Sequence, residues 1–381
     1  MRLLSMILIF GLLSHLNAID MSIKHPPSEM IMMDFSDDGE DMILIEDSNL
    51  IDIGISDNVN TDVSGFMSDD NLKIALLVPK KIIGSHSNSV SNAIISYLIF
   101  KDTQFQFEVF DCVDEMEDSI AQKLAEIKAN GYSFVIAPMT QRGAEVLNSY
   151  VSDMLVFIPT INRENIYEPN NNIIFGGLDY KRQLDVLLSY ANEKIVLFGD
   201  GSRLSNELSS YIKLQMQEDI VYEKEIKNIR TNLSFLKKNK NLKKSSIFLN
   251  MPIIKSSLLA SQFRQYEVEP HVILSSQVNY NPLLFKLTQV KDREFFYIAN
   301  SISYYDKELK DINLVLGNNP DYSWIDYSTS IGMDYVFRIN SLDANSIFDE
   351  EIYDNQIEYK VRIEKAAKAS FEPLRDGRFN Y

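Results

Sequence analysis

Side chains able to carry out catalysis are sparse in this chain of 381 residues. Beyond the first 18 residues its histidines are His25, His86 and His271, whose spacing gives neither a HExxH zinc pair nor a nucleophile with a base beside it. The adjacent acids at 349–351 are most simply a solvated turn before a strand, since the chain carries 54 Asp and Glu residues. We therefore predict a protein that is not an enzyme and that uses neither a metal nor a cofactor.

The segment GDGSR at 199–203 is the nearest approach to a phosphate-binding loop. It lacks the Lys and Ser/Thr that end such a loop, so it predicts a strand-to-helix turn in which Ser202 caps the helix. Cys112 is the single cysteine and has no partner for an intrachain disulfide. Its place after the apolar run 105–110 predicts a small buried residue.

The first 18 residues predict export. Arg2 supplies a positive charge, residues 3–13 form an apolar run, and Ala18 ends a cleavage signature. That run is shorter than the roughly 20 residues that cross a bilayer as a helix. No cysteine follows Ala18 to accept a lipid. We expect a periplasmic protein with a cleavable signal peptide, not a lipoprotein, with no integral membrane segment in the mature chain.

The chain is acidic, and the excess lies mostly in one segment. The net charge is -17, and residues 19–70 hold 14 Asp and Glu against one Lys. A phosphate-rich partner would be repelled, which argues against nucleic acid. Residues 19–70 have no sustained period, so they predict a disordered leader. It is either a solvated spacer or a docking motif whose apolar clusters, 42–45 and 51–55, fold onto a partner.

Apolar runs of strand length alternate with helical patterns from residue 71 onward. The first series runs from NLKIALLVP at 71–79 to the strand at 155–158. A second series begins near residue 178 and contains predicted strands at 220–225 and 246–250 and predicted helices that include 231–239. Such alternation builds parallel sheets wrapped by helices, so we predict an α/β fold with two doubly wound lobes. Ligands of such sheets bind at the carboxyl ends of the strands.

Six segments in order resemble the signatures of type I periplasmic binding proteins, the leucine-binding-protein fold. They are KIALLVP, GYSFVIAPMTQRGAEVL, FIPTIN, KIVLFGDGSRLSNELSSYI, SIFLNMPIIKSSLLASQFRQYEVEPHVILSSQ and SIGMDYVFRI, and the resemblance covers about 72–371. Within that superfamily the loops PMTQRGAEVL, IPTIN and SSQVNYNP, with the C-terminal segment DNQIEYKVRIEKAAKASFEPL, resemble the C-terminal domain of LpoA-type activators of penicillin-binding proteins more than amino-acid receptors.

The resemblance implies a hinge of three chain crossings between the lobes. They are expected near 176–177, 280–283 and 341–346. The implied domains are a signal peptide at 1–18, a leader at 19–70, a first lobe at 71–177 plus 283–344, and a second lobe at 178–282 plus the C-terminal segment 345–381. Closure of the lobes around a ligand is the usual motion of this design.

The resemblance also implies which side chains face the cleft. They all follow strands, and they are Ser85, Thr140, Gln141, Arg142, Thr160, Asn162, Arg163, Ser202, Arg203, Ser276 and Gln277. Amino-acid receptors of the family usually place small hydroxyl residues after the fourth and fifth strands, where this chain has bulkier ones. Arg142 and Arg163 are either bidentate ligands of an anion or solvated residues at the rim.

Five lysines between 237 and 244 run against the overall charge. We place them at the end of the predicted helix 231–239, where cations interact favourably with the helix dipole. They are either a solvated helix end or a docking surface for an acidic partner, of which the leader is the nearest.

Two functions remain open. The first is a non-enzymatic envelope interaction or regulatory protein, such as an activator of peptidoglycan synthesis, with a periplasmic or envelope protein as partner. The alternative is a solute receptor that delivers an amino acid or small anion to an ABC transporter.

Overall fold

The computed structural model describes residues 72–84, 86–303, 305–341 and 345–374. The predicted signal peptide, the acidic leader, Ser85 and residues 375–381 lie outside these ranges. Within them the strands are β1 (Leu72–Val78), β2 (Phe105–Asp111), β3 (Phe134–Ile136), β4 (Leu155–Ile158), β5 (Ile173–Phe175), β6 (Ile195–Gly199), β7 (Ile220–Glu225), β8 (Ser246–Asn250), β9 (Val272–Ser275), β10 (Phe296–Asn300), β11 (Glu351–Tyr353), β12 (Gln356–Glu358), β13 (Arg362–Ala366) and β14 (Phe371–Pro373).

The helices of the same ranges follow the strands closely. They are α1 (Lys80–Ile83), α2 (His86–Phe100), α3 (Glu117–Ala129), α4 (Gln141–Tyr150), α5 (Tyr180–Leu188), α6 (Arg203–Met216), α7 (Ile253–Gln265), α8 (Leu283–Leu287), α9 (Lys307–Val315) and α10 (Trp324–Ser341). Within the described ranges, none of these helices is long and apolar enough to cross a membrane.

Two sheets of seven strands organise the two lobes. The first has the order β11-β12-β5-β4-β3-β1-β2 and the second the order β14-β13-β10-β9-β8-β6-β7. Pairing is parallel except for β11 with β12, β10 with β13 and β13 with β14. The predicted α/β fold of two doubly wound lobes is therefore confirmed, with short antiparallel strands added at one end of each sheet.

The inner strands are buried on both faces because helices cover each sheet from two sides. On β1, Ile74 and Leu76 belong to one core cluster, while Ala75 and Leu77 belong to another. Residues 195–198 of β6 divide between two clusters in the same way. Successive side chains of a strand point to opposite faces, so a strand covered on both sides appears in the sequence as a continuous apolar run.

Sequence and structure agree closely at four strands, of which β1, β4 and β8 are buried and β7 is the outer strand of the second sheet. The limits of β4, β7 and β8 are those predicted, and β1 begins and ends within the predicted 71–79. Short apolar runs bounded by polar residues leave little freedom in where a parallel strand starts and stops.

The helix predicted at 231–239 is wrong. The segment contains one 3-10 turn, Leu233–Leu236, and the Asn232 side chain caps it by accepting a 2.9 Å hydrogen bond from the Ser234 N–H. Lys238 has a φ of +58°, outside helical geometry. Amide side chains that bond the nearby backbone favour such turns over a continuous helix. The five lysines therefore lie on a turn-rich segment, without a helix dipole, and Lys243 pairs with Glu269 at 3.1 Å.

Three crossings join the lobes, after β5, after β10 and after β12. The crossing expected at 176–177 falls in the segment between β5 and β6, which lie in different sheets. The others differ from those expected at 280–283 and 341–346, because β10 lies in the second sheet and β11 and β12 lie in the first. β10 is buried along its whole length, and pairing with β9 places it between two helical layers. Gln356 of β12 pairs with Phe175 of β5.

The acids at 349–351 are not a solvated turn. Glu350 is only 7% exposed, and Glu351 begins β11. Burial, together with the charge of Glu350, raises the pKa of Tyr327. Glu350 is buried because it precedes the strands that extend the first sheet, a position that the local sequence does not reveal.

Candidate functional site

The predicted cleft residues sit in loops at the carboxyl ends of parallel strands. Thr140 follows β3, Thr160 follows β4, Ser202 follows β6 and Ser276 follows β9. Because the strands of each sheet run the same way, these loops gather at one edge of their sheet. A ligand can bond the polar groups of these loops only where the protein itself does not already bond them.

Thr140 is occupied by a carboxylate of the same chain. Its backbone N–H donates a 2.7 Å hydrogen bond to Glu115 Oε1, and its hydroxyl donates to Glu115 Oε2. Glu115 is only 5% exposed. A Cβ added at Gly143, one turn into α4, would lie 2.6 Å from the Glu115 carboxyl carbon. The glycine therefore makes room for an internal acid at the positive end of α4, where an anion is favoured.

Thr160 and Asn162 bond neighbouring backbone. The Thr160 hydroxyl accepts a 3.1 Å hydrogen bond from the Met139 N–H and donates to the Met139 carbonyl. The Asn162 side chain accepts a 3.0 Å bond from the Glu164 N–H and caps the 3-10 turn that follows. Both residues are buried. Thr160 thus joins the loops after β3 and β4, whereas Asn162 stabilises its own turn.

The two arginines predicted as anion ligands differ in surroundings. The Arg163 guanidinium pairs with Asp354 at 2.9 Å, and the Arg163 backbone N–H donates to Gln356 Oε1 at 2.8 Å. Arg142 is exposed, and its Nη2 lies 3.0 Å from Met116 Sδ. Arg163 is thus held by the strands that extend the first sheet, whereas Arg142 lies at the surface.

Polar side chains connect the two lobes across this edge. Arg203, at the start of α6, donates to Gln141 Oε1 at the start of α4 and pairs with Glu207 at 2.9 Å. Lys181 of α5 pairs with Glu164, which follows β4, at 3.2 Å. Burial lowers the pKa of Lys181, while the charge of Glu164 opposes that shift. These contacts hold the loops of one lobe against helix starts of the other.

On the second lobe a chain of buried amides fills the corresponding edge. The Gln277 N–H donates to Gln183 Oε1 at 2.9 Å, and Gln277 Oε1 accepts from the Ser301 N–H at 2.7 Å. Gln277 Nε2 donates to Asn300 Oδ1 at 3.2 Å, and Asn300 Nδ2 donates to Glu364 Oε1 at 2.7 Å. Buried polar groups need such partners, so Gln277 is committed to the protein itself.

Ser202 and Ser276 have contrasting environments. Ser202 caps α6 by accepting from the Ser205 N–H at 3.3 Å, as predicted, and donates to Asp200 at 2.6 Å. Burial would raise the pKa of Asp200, but hydrogen bonds from Lys255 and Ser202 outweigh it and lower that pKa. The Ser276 hydroxyl is buried and lacks a hydrogen-bond partner among the described residues.

The structure therefore joins Gln141 to Arg203. It gives Thr140, Arg163 and Gln277 partners that the sequence did not indicate, namely Glu115, Asp354, Gln183 and Asn300, whereas Arg142 lies at the surface and the Ser276 hydroxyl has no partner among the described residues. Gly143, directly after the predicted residues 140–142, was the one residue in the local sequence that indicated the close approach of another side chain, that of Glu115. Within the described part of the chain, no group of three or more His, Cys, Asp and Glu side chains could hold a metal ion.

Two lobes of this topology, with crossings between them and loops meeting at the carboxyl ends of the strands, define the type I periplasmic binding protein fold. Solved structures bear this out. The substrate-binding protein LivJ of Streptococcus pneumoniae, in complex with isoleucine, has a TM-score of 0.56 at 10% identity, over 80% of this chain and 99% of that one.

Other similar structures differ in what they bind. The C-domain of LpoA from Haemophilus influenzae, described as a regulator of PBP1A, has a TM-score of 0.52 at 10% identity, over 79% of this chain and 99% of that chain. A solute-binding protein of an ABC transporter from Rhodopseudomonas palustris, in complex with 3,4-dihydroxybenzoic acid, has a TM-score of 0.57 at 12% identity, over 82% and 98%. At these identities the likeness shows the fold alone. No protein-family model matches the chain, and no curated protein sequence matches it.

Proposed function

We propose that this chain is a non-enzymatic, binding-protein-like module of the periplasm that acts as an envelope interaction or regulatory protein. Activation of peptidoglycan synthesis is the specific role we favour. The LpoA C-domain shares the fold and is described as a regulator of PBP1A. The neighbours reported above bind ligands or regulate a partner, which supports the non-catalytic class.

The observation that carries the proposal is the Glu115 carboxylate on Thr140. A solute carboxylate entering this position would have to displace an internal acid that is already buried and hydrogen-bonded. Each charge-assisted hydrogen bond contributes about 1.5–3 kcal/mol, and a buried group left without its partners costs a similar amount. Displacement is therefore unfavourable unless a ligand supplies equivalent contacts.

Contacts between the lobes support the same conclusion. Gln141 bonds Arg203, and Glu164 pairs with Lys181, so polar groups at the cleft satisfy each other. Gln277 is likewise committed to Gln183 and Asn300. In our proposal the fold serves as a scaffold whose outer surface meets a protein partner. Export through the predicted signal peptide would place it beside the cell-wall synthases.

One observation favours the alternative, a receptor for an amino acid or small anion. The buried Ser276 hydroxyl has no partner among the described residues. A hydroxyl at the carboxyl end of β9 could bond a solute after a change in lobe spacing. The solute-bound neighbours show that this fold accommodates small molecules in other proteins.

The two functions are separated by thermal unfolding with a panel of amino acids and aromatic acids, isoleucine and 3,4-dihydroxybenzoic acid included. A true ligand at 100 times its Kd adds about 2.7 kcal/mol to stability. We expect no saturable shift in Tm, and we expect stimulation of glycan-strand synthesis by the bifunctional penicillin-binding proteins of the same envelope. A saturable shift with one compound, without stimulation, would instead establish the receptor.

A further inference from the structure

Among the residues that the structure describes, the outer strand of the first sheet, β2, is paired along one edge only. Within the described ranges β2 pairs with β1 alone, in parallel, from Phe105 beside Leu72 to Asp111 beside Val78. At seven residues it is as long as β1 itself. An outer strand of this length presents backbone donors and acceptors to which a further strand can bond.

The direction of the N–H and C=O groups of β2 identifies the residues that would bond a further strand. The Cys112 N–H donates to the Val78 carbonyl at 2.9 Å, so the backbone at even positions faces β1. The direction of the backbone N–H and C=O groups alternates from one residue to the next along a strand. The N–H and C=O groups of Phe105, Phe107 and Val109 therefore point away from the sheet.

The same positions carry an apolar row. Phe105 is 40% exposed and Val109 is 41% exposed, with the partly buried Phe107 between them. By contrast, the outer strand of the second sheet, β7, ends in Glu223, Lys224 and Glu225. Charged side chains are a common protection of an outer strand against further pairing. In β2 the only charged residue before the last one is Glu108, and the Tyr132 hydroxyl donates a 2.8 Å hydrogen bond to its carboxylate.

The leader contains a segment that matches this edge. Residues 51–55 have the sequence Ile-Asp-Ile-Gly-Ile, which places three β-branched apolar side chains on one face of a strand. In an antiparallel arrangement with Asp52 opposite Gln106, Ile51 lies opposite Phe107 and Ile53 opposite Phe105. This register also keeps Asp52 away from the like charge of Glu108.

The length of chain outside the described ranges permits this arrangement. The description begins at Leu72, the first residue of β1, directly beside Phe105. An added strand beyond β2 would end about two strand spacings from there, or roughly 10 Å. The residues between 55 and 72 span several times that distance when extended. An antiparallel direction brings the end of the leader strand back toward the start of β1.

We propose that residues 51–55 of the leader add to the free edge of β2 as an antiparallel strand, with Ile51 facing Phe107 and Ile53 facing Phe105. The leader is then a structural part of the first lobe that covers its outer strand. This proposal is independent of the function proposed above, since it concerns neither the cleft nor a partner.

Disulfide trapping tests the register in the full chain. Asp52→Cys combined with Gln106→Cys places two thiols on a pair that exchanges no backbone hydrogen bonds, the closer kind of cross-strand pair. The matched control is Asp52→Cys with Lys224→Cys on β7. Burial raises the pKa of the native Cys112 thiol to about 12, so it stays out of the exchange. We expect an intramolecular disulfide in the first variant at a yield several-fold above the control. Equal yields, or disulfide dimers through Gln106→Cys alone, would overturn the proposal.

Amide hydrogen exchange gives a second readout. Ile53→Pro removes a backbone donor from the added strand, whereas Asn58→Pro changes the leader outside it. We expect exchange at Phe105 and Phe107 to accelerate about tenfold or more in the first variant and to stay unchanged in the second. Protection should persist at about 0.5 M salt, where a purely electrostatic contact with the lysines at 237–244 is screened. Fast exchange in the unmodified chain, or protection that rises with protein concentration, contradicts the proposal.

Discussion

The Glu115 carboxylate lies across the start of the helix that begins after Thr140 and accepts hydrogen bonds from both the backbone N–H and the hydroxyl of that residue. An acid from the same chain therefore holds the loop after β3 that the sequence predicted to face the cleft. This pair links a local feature, a threonine before a helix, to the proposed loss of solute binding.

Removing this acid should destabilise the first lobe. We expect Glu115→Ala to lower the free energy of unfolding by about 2–3 kcal/mol, because two partly buried donors of Thr140 lose a charged acceptor. Urea denaturation measures the change. Glu126→Ala is the matched control: Glu126 is exposed and pairs with Lys123, so its loss should cost under about 1 kcal/mol. Similar values for both variants would show that Glu115 contributes little.

Gly143 and Glu115 should behave as a coupled pair. A Cβ at residue 143 would meet the Glu115 carboxyl group at 2.6 Å. We expect Gly143→Ala to destabilise the unmodified chain by about 1–3 kcal/mol through overpacking. In the Glu115→Ala background the same change should be neutral or stabilising by up to about 1 kcal/mol, because alanine is the better helix former. A double-mutant cycle measures this, and additive effects would contradict the close approach.

The contacts between the lobes should limit opening more than they stabilise the fold. Exposed pairs contribute about 0.2–1 kcal/mol each, so Arg203→Leu combined with Glu164→Gln should change the unfolding free energy by under about 2 kcal/mol. Spin labels at the exposed positions Ser149 on α4 and Ser210 on α6 report the lobe spacing. We expect longer distances in the double variant. An unchanged distribution would show that other contacts hold the lobes together.

Stability of the first lobe should depend on pH through Asp326. Burial raises the pKa of this acid to about 6, partly opposed by hydrogen bonds from Ser89 and Ser323. Because the folded pKa lies above the unfolded one, ionisation costs stability as the pH rises from about 4 through 6. Over that interval we expect the free energy of unfolding of Asp326→Asn to rise relative to that of the unmodified chain, by up to about 3 kcal/mol. Urea titrations at pH 4 and pH 7 test this, with the exposed Asp311→Asn as control.

Much of the fold could be predicted because its signals are local. Buried parallel strands such as β4 and β8 appear as apolar runs, and Ser202 identifies the start of α6 by its capping side chain. The errors arose where local signals conflict or are weak. At 231–239 the apolar spacing suggested a helix, while asparagines favoured turns. Sheet membership of β10, β11 and β12 depends on which neighbouring strand each one pairs with.

By itself, the sequence determined the two series of strands and helices and the loops that end at the carboxyl edges of the sheets, because apolar period and capping act within a few residues. Only the tertiary structure decided what those loops contact. Glu115 reaches Thr140 across 25 positions and Arg203 reaches Gln141 across 62. Such pairs form because packing brings distant strand ends together. Charged and polar side chains that are partly buried there must then bond groups of the protein in place of water.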